Sequence, residues 1–230
     1  MFLVGTGAGQ HKAKAHVAPC AGQAPGREGG ALYLGRPFCQ GRCMALVPPL
    51  DVPPEAVRAA LAPLRNDFSV ALTAPGNAFA VGAVIRVAHS FLAREVFVVG
   101  GDRPSPVAPE PRRNGRDWYR KAAMGMHKYE TVVALADAEE LVRRTRGRPL
   151  WAVEKDHARR SICAVDCFPP GVVLLFGSER FGVPPELLDR AEEVVGIPMY
   201  GVNHSFPVAV AAGIAMHEWA RRRYRDGAVM

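Results

Sequence analysis

The chain has 230 residues, 49% of them hydrophobic, and carries a formal charge of +7 at pH 7 with a pI of about 9.5. This length is sufficient for one good-sized hydrophobic core, and no run of about 18 or more apolar residues occurs, which argues against a membrane-spanning helix. The excess of positive charge indicates a polyanionic partner, although a basic tail would raise the pI in the same way.

Residues 1–43 differ in composition from the rest of the chain. They are rich in Gly, Ala and Pro without lasting apolar periodicity, which is typical of a disordered extension. An over-long translation start with Met44 as the true one is the alternative, and 44–230 is the predicted domain. The five cysteines are sparse and odd in number, as expected of reduced thiols, and the first residues lack the order of a secretory signal. We therefore expect a cytoplasmic protein.

From Asp51 onward, helical and strand patterns alternate, which predicts an α/β fold whose parallel sheet has about six strands. In chain order the predicted elements are helix 55–64, strand 69–73, loop 74–80, helix 81–91, strand 95–99, a Pro-rich loop over 102–116, helix 119–124, strand 131–134, helix 138–146, strand 150–153, strand 172–176, helix 185–193, strand 194–198 and a long apolar helix reaching Trp219.

Two of these strands run into polar loops. Strand 172–176 is followed by a loop with Gly177 and Glu179, and strand 194–198 is followed by a loop of Gly, Asn, His and Ser. Open α/β proteins bind ligands at the carboxyl ends of their parallel strands. The sequence therefore predicts one pocket made from both loops.

Basic residues occur in clusters, and the first of them is interleaved with aromatic residues. Such a pattern suits phosphate neutralisation combined with base stacking, as in the binding of unpaired RNA. Of the first cluster we select Arg120, Lys121, His127 and Lys128 as candidate RNA-binding residues, with Trp118, Tyr119 and Tyr129 among them. Two further clusters span 143–148 and 221–225.

Three segments carry a family resemblance: GNAFAVGAVIRVAHSF (76–91), GSERFGVPPELL (177–188) and IPMYGVNHSFPVAVAAGIAMHEW (197–219). In order and spacing they resemble the three signature motifs of SpoU/TrmH-type RNA ribose 2′-O-methyltransferases of the SPOUT superfamily. The stretch AAMGMHKYETVV (122–133) also resembles the segment before the central strand of TrmH-type enzymes. The likeness covers residues 66–222.

The resemblance implies a parallel sheet flanked by helices with a C-terminal deep trefoil knot, S-adenosylmethionine bound in the knot, and a homodimer that completes the active site. It implies that adenosine contacts the backbone of Gly177, Ile197 and Phe206, and that the same pocket is lined by Met199, Gly201 and Ser205. Two residue types agree with this independently. A glycine at a strand end allows close backbone approach, and a residue before proline is extended and rigid.

The resemblance also implies a catalytic set of Arg86, Glu179 and Ser205. Methyl transfer to a ribose hydroxyl of very high pKa requires alignment and a group that lowers or accepts the proton. Because a guanidinium is not a base near neutral pH, we expect Arg86 to clamp the target phosphate and to activate the hydroxyl electrostatically. Asn77, in the same motif, is a candidate RNA contact, and Glu179 would orient Arg86 or the substrate.

Two departures from the family pattern concern the acceptor. Ala80 and Pro207 stand where family members commonly have asparagine, and Asn77, Asn203 and His204 stand nearby as possible replacements. Alternatives therefore remain: a SPOUT enzyme acting on a base or a small metabolite, or a catalytically silent RNA-binding protein. Two Cys-x-x-x-Cys pairs, 39/43 and 163/167, have a spacing unusual for zinc, so we predict no metal site.

Overall fold

The computed structural model describes residues 52–100, 118–178 and 181–225. The predicted extension 1–43 and the predicted Pro-rich loop 102–116 therefore lie outside the described residues, as does the proposed start at Met44. Within the described ranges, no helix is both long enough and apolar enough to cross a membrane.

A parallel sheet of seven strands lies at the centre of the described part of the chain. Its spatial order is β3-β2-β1-β6-β4-β7-β5, and all six neighbouring pairs run parallel. In chain order the strands are β1 (Phe68–Thr73), β2 (Val96–Val99), β3 (Val132–Leu135), β4 (Leu150–Val153), β5 (Arg160–Ser161), β6 (Val172–Phe176) and β7 (Glu193–Gly196). The predicted α/β class is confirmed. The predicted number of about six strands omits β5, since two residues are too few to show a period.

Helices cover both faces of this sheet. They are α1 (Pro54–Leu61), α2 (Ala78–Ser90), α3 (Trp118–Ala123), α4 (Ala138–Arg144), α5 (Pro185–Leu188) and α6 (Val208–Arg225), with short 3-10 turns at 62–64, 126–128 and 162–164. On one face, α2 and α6 cover alternate residues of β1, and the ring centroids of Phe68 and Trp219 are 4.4 Å apart. On the other face, Leu141 of α4 and Leu187 of α5 pack on the intervening sheet residues.

Several predicted boundaries were wrong, and three of them have a clear physical reason or bear on the site. Helix α2 starts at Ala78, within the predicted loop 74–80. The Asn77 side chain accepts a hydrogen bond from the Phe79 amide (2.8 Å) and so caps the helix at this point. The predicted helix 185–193 stops at Leu188, since the Glu192 amide already bonds to the Leu150 carbonyl and draws the chain into the sheet. The strand predicted over 194–198 is β7, which starts one residue earlier and ends at Gly196.

The arginine of α6 that points inward, Arg222, is 4% exposed. Its guanidinium donates to the carbonyls of Ile162 (2.8 Å) and Cys163 (3.2 Å) and to that of Val165, and it pairs with Glu218. Within the predicted basic cluster 221–225, Arg222 is therefore a structural residue and is unavailable to RNA. It ties α6 to the 3-10 turn at 162–164.

Replacing Arg222 with Ala is expected to lower the free energy of unfolding by about 2–3 kcal/mol, because it removes the buried guanidinium to which three carbonyls and the Glu218 carboxylate bond. Urea titration followed by circular dichroism measures this. The control is Arg221→Ala, which removes a partly exposed pair with the same carboxylate and should lower stability much less. Equal losses in the two variants would refute the structural role of Arg222.

Candidate functional site

A cavity of about 370 Å³ opens at the carboxyl ends of strands β4, β6 and β7. Its wall combines residues from the two loops that the sequence predicted to form one pocket, together with residues from the loop after β4 and the start of α6. The predicted site residues that line it are Gly177, Ile197, Met199, Ser205 and Phe206. A pocket of this size is within the range that holds cofactors.

The loop after β6 folds back tightly on itself. A Cβ atom on Gly177 would overlap with the backbone of Gly182 and Val183, and Gly182 itself has a φ of +68°, which favours glycine. The Glu154 carboxylate accepts a hydrogen bond from the Val183 amide (3.0 Å) and so joins this loop to the one after β4. Gly177 is thus required for the shape of the cavity wall.

Three backbone positions of the wall retain unused hydrogen-bonding groups. Among the described residues, no hydrogen bond uses the backbone amide or carbonyl of Gly177, Ile197 or Phe206, although all three residues are half-buried. The cavity wall therefore has three positions whose backbone donors and acceptors are available to a ligand.

The sequence reasoning missed the polar segment after β4. Glu154, Lys155, Asp156 and His157 all line the cavity. The hydrogen bond from Lys155 (2.6 Å), with the positive charges of Lys155, His157 and His204 nearby, holds the pKa of the Asp156 carboxyl below its usual range. This part of the wall could have been predicted from the sequence, because its residues directly follow the predicted strand 150–153, as the two recognised loops follow their strands.

Three predicted site residues are not part of the cavity wall as described. Gly201 is exposed and does not line it, and Glu179 lies outside the described residues. Arg86 is on the exposed face of α2, about 12 Å along the helix from Ala78. Arg86 does not line the cavity of its own chain. Among the described residues, its guanidinium has no ion-pair partner.

The predicted RNA-binding residues lie on α2, α3 and the turn after α3. Arg120, Lys121 and Lys128 are exposed, and the Lys121 ammonium lies 5.5 Å from the centroid of the Trp118 ring. His127 is half-buried, with its ring 5.4 Å from that of Tyr119. Asn77 is exposed, but its side-chain oxygen (Oδ1) caps α2. The side-chain NH2 group is therefore the part of this amide that is available to a ligand.

Of the two cysteine pairs, 163/167 lies within the described residues. Cys163 is exposed and Cys167 half-buried, and the 39/43 pair lies outside the described residues. No group of three or more His, Cys, Asp or Glu side chains within the described ranges is arranged to hold a metal ion.

The sequence model of the SpoU rRNA Methylase family matches residues 67–217. The chain belongs to this family. A tRNA (cytidine(34)-2'-O)-methyltransferase of Burkholderia ambifaria is 30% identical over 168 residues, which cover 70% of this chain and 99% of that protein. A tRNA (guanosine(18)-2'-O)-methyltransferase of Thermus thermophilus is 32% identical over 111 residues, 47% of this chain. The match spans just 57% of the Thermus protein's length.

Solved structures agree with the family assignment. An AdoMet-bound rRNA methyltransferase from Sinorhizobium meliloti superposes with a TM-score of 0.58 at 26% identity, over 72% of this chain and 59% of that chain. A TrmH/SpoU tRNA modifying enzyme of A. aeolicus gives a TM-score of 0.60 at 22% identity, over 76% of this chain and 84% of that chain, and supports the fold alone. The SpoU-type fold is thus confirmed, while the trefoil knot stays a prediction.

Proposed function

We propose that this SpoU-family chain is an S-adenosylmethionine-dependent methyltransferase that acts on a ribose 2′-hydroxyl of tRNA or rRNA in the cytoplasm. The observation that carries the proposal is the cavity at the ends of β6 and β7, whose wall is built from the second and third family motifs. The named activities of the Burkholderia and Thermus relatives, both 2′-O-methyltransferases, support the same reaction.

The unused backbone groups of the cavity suit an adenosine. The amide and carbonyl of Ile197 and Phe206 would bond the polar edge of the adenine ring, and Gly177 would allow close approach of the ribose. The side chains of Met199 and Phe206 would cover the flat faces of the ring. Lys155 and Asp156, at the rim, would pair with the carboxylate and ammonium groups of the methionine part. When bound, the cofactor supplies an electrophilic methyl group on a sulfonium.

Arg86 would act on the acceptor rather than on the cofactor. A guanidinium presents a fixed fork of donors that matches a phosphate, and its charge lowers the energy of an oxyanion forming nearby. Its freedom from ion pairs among the described residues leaves all these donors to the substrate. Glu179 would orient Arg86 or the substrate, and Ser205, on the cavity wall, would contact the reacting ribose.

A homodimer would bring Arg86 to the cavity. Arg86 does not line the cavity of its own chain, and a second copy would supply it to the reacting groups. Large apolar side chains are exposed on the loop after β7, at Tyr200 and Val202 (100% each), and near the starts of α2 and α6, at Phe79 (46%) and Val210 (45%). Exposed apolar surface of this kind marks an interface. We therefore assign this surface to the contact between two subunits.

The missing asparagines have local substitutes. The Asn203 side chain donates to the Ser205 carbonyl (2.9 Å) and so holds the loop in which Pro207 stands. His204 lines the cavity and adds a donor and an acceptor that can reach a ribose. Ala80 and Pro207 are therefore compatible with an active enzyme.

Transfer of tritiated methyl from S-adenosylmethionine to total bacterial RNA tests the proposed function. We expect label in RNA, with 2′-O-methylated nucleosides found by mass spectrometry after complete digestion, and saturable cofactor binding by calorimetry. Cofactor binding with label in a methylated base would assign another acceptor. The absence of cofactor binding would indicate a silent RNA-binding protein, and either result would overturn the proposal.

A further inference from the structure

A second groove lies at the amino ends of β4 and β7, at the end of the strands opposite to the cofactor cavity. It is about 580 Å³ in volume and lies between the end of α4, the turn that follows it and the turn after α5. Arginine is the dominant side chain of its wall: Arg143, Arg146, Arg148 and Arg190 contribute four positive charges, and Glu192 contributes the one carboxylate.

Two of these arginines have structural partners. Arg148 donates to the Gly171 carbonyl (2.9 Å), the Ser69 hydroxyl (2.7 Å) and the Glu95 carboxylate (3.2 Å), and its burial lowers the pKa of its guanidinium. Arg190 forms a two-pronged pair with Glu139, at 2.6 and 3.3 Å. These two fix the groove in place, and their charges are offset by the carboxylates of Glu95 and Glu139.

The other two arginines have no such role. Arg143 and Arg146 are exposed, and neither forms an ion pair with any described residue. Arg143, in the last turn of α4, also interacts favourably with the helix dipole. The helix dipole gives Arg146 no such stabilisation, because Arg146 lies beyond the end of α4, next to the turn at Gly147 (φ +76°). Two unpaired guanidinium groups thus share one groove with a net positive wall.

We propose that this groove binds the phosphate backbone of the substrate RNA, away from the nucleotide that is modified. The inference rests on the proposed function, since it names a second contact of the same substrate. Guanidinium groups match phosphate oxygens in pairs, and a groove with an excess of positive charge suits a chain of phosphates. The length of β4, about 13 Å, separates the groove from the cofactor cavity, so the contact requires RNA well beyond one nucleotide.

The salt dependence of RNA binding tests this assignment. The dissociation constant for unfractionated bacterial tRNA is measured by filter binding between low and moderate salt, for the wild type, each single alanine variant and Arg143→Ala/Arg146→Ala. Loss of each phosphate contact should reduce the slope of log K against log salt by about 0.7–0.9. The double variant should bind about tenfold more weakly at low salt, with a raised KM for RNA and little change in kcat.

Two controls separate a phosphate site from general charge or damage. Arg143→Lys/Arg146→Lys keeps the charge and should retain the wild-type slope, and Arg58→Ala removes an exposed, ion-paired arginine of α1 and should leave the slope unchanged. A double alanine variant with wild-type slope and affinity, or an equal effect of Arg58→Ala, would overturn the proposal. Because binding is measured without methyl transfer, these outcomes are distinct from failure of the proposed enzyme activity.

Discussion

Replacement of Arg86 with Ala is expected to lower kcat for methyl transfer by about 100-fold or more, while the dissociation constant of S-adenosylmethionine changes less than about twofold. The reason is that Arg86 would stabilise the reacting hydroxyl and its phosphate without touching the cofactor, whose cavity it does not line. Single-turnover transfer and calorimetry measure the two quantities. The control is Arg94→Ala, which removes an exposed arginine paired with Asp67 and should remain active.

Subunit mixing tests where Arg86 acts. If each cavity uses Arg86 of the second copy, a mixture of inactive Arg86→Ala and inactive Gly177→Ala chains contains heterodimers with one intact site. Random assembly would then restore about a quarter of wild-type activity. If Arg86 served the cavity of its own chain, no heterodimer would hold an intact site, and the mixture would stay inactive.

Replacement of Gly177 with Ala is expected to weaken cofactor binding, with a rise in the dissociation constant of at least about tenfold. The new Cβ atom would overlap with the backbone of Gly182 and Val183, so the loop after β6 must move. Its displacement removes the backbone groups that would meet the adenosine and breaks the bond from Val183 to Glu154. Calorimetry measures the loss of binding, and thermal unfolding shows whether the fold survives.

Gly213→Ala is the matched control for this variant. A Cβ atom on Gly213, within α6, would make an ordinary contact 3.7 Å from Val87, so the change should be tolerated and should favour the helix slightly. If Gly177→Ala bound the cofactor as tightly as Gly213→Ala does, the proposed role of the loop after β6 in cofactor binding would be refuted.

The sequence was sufficient for the α/β class and for most strands, because buried parallel strands give continuous apolar runs such as 172–176. It was insufficient at boundaries that depend on contacts distant in sequence. The end of α5 is set by the bond between Glu192 and Leu150, which no local pattern of α5 contains. The two-residue strand β5 likewise exists only because β7 lies beside it.

The candidate site likewise has parts that could be predicted from the sequence and parts that could not. The cavity wall from the second and third motifs could be predicted, because each motif follows a strand that carries a clear apolar pattern. The contribution of Glu154 and His157 was missed, although the same rule applied to their strand. The structural role of Arg222 could not be predicted, since a run of arginines at the end of a helix looks alike whether its members point inward or outward.

The position of the methyl group on the RNA tests the central claim most directly. A ribose 2′-hydroxyl is the nucleophile in alkaline RNA cleavage, so its methylation leaves the adjoining linkage intact. After transfer of tritiated methyl and exhaustive alkaline digestion, we predict that the label is recovered in alkali-resistant dinucleotides. Recovery of the label in mononucleotides would place the methyl group on a base and would contradict the assignment of the ribose hydroxyl as acceptor.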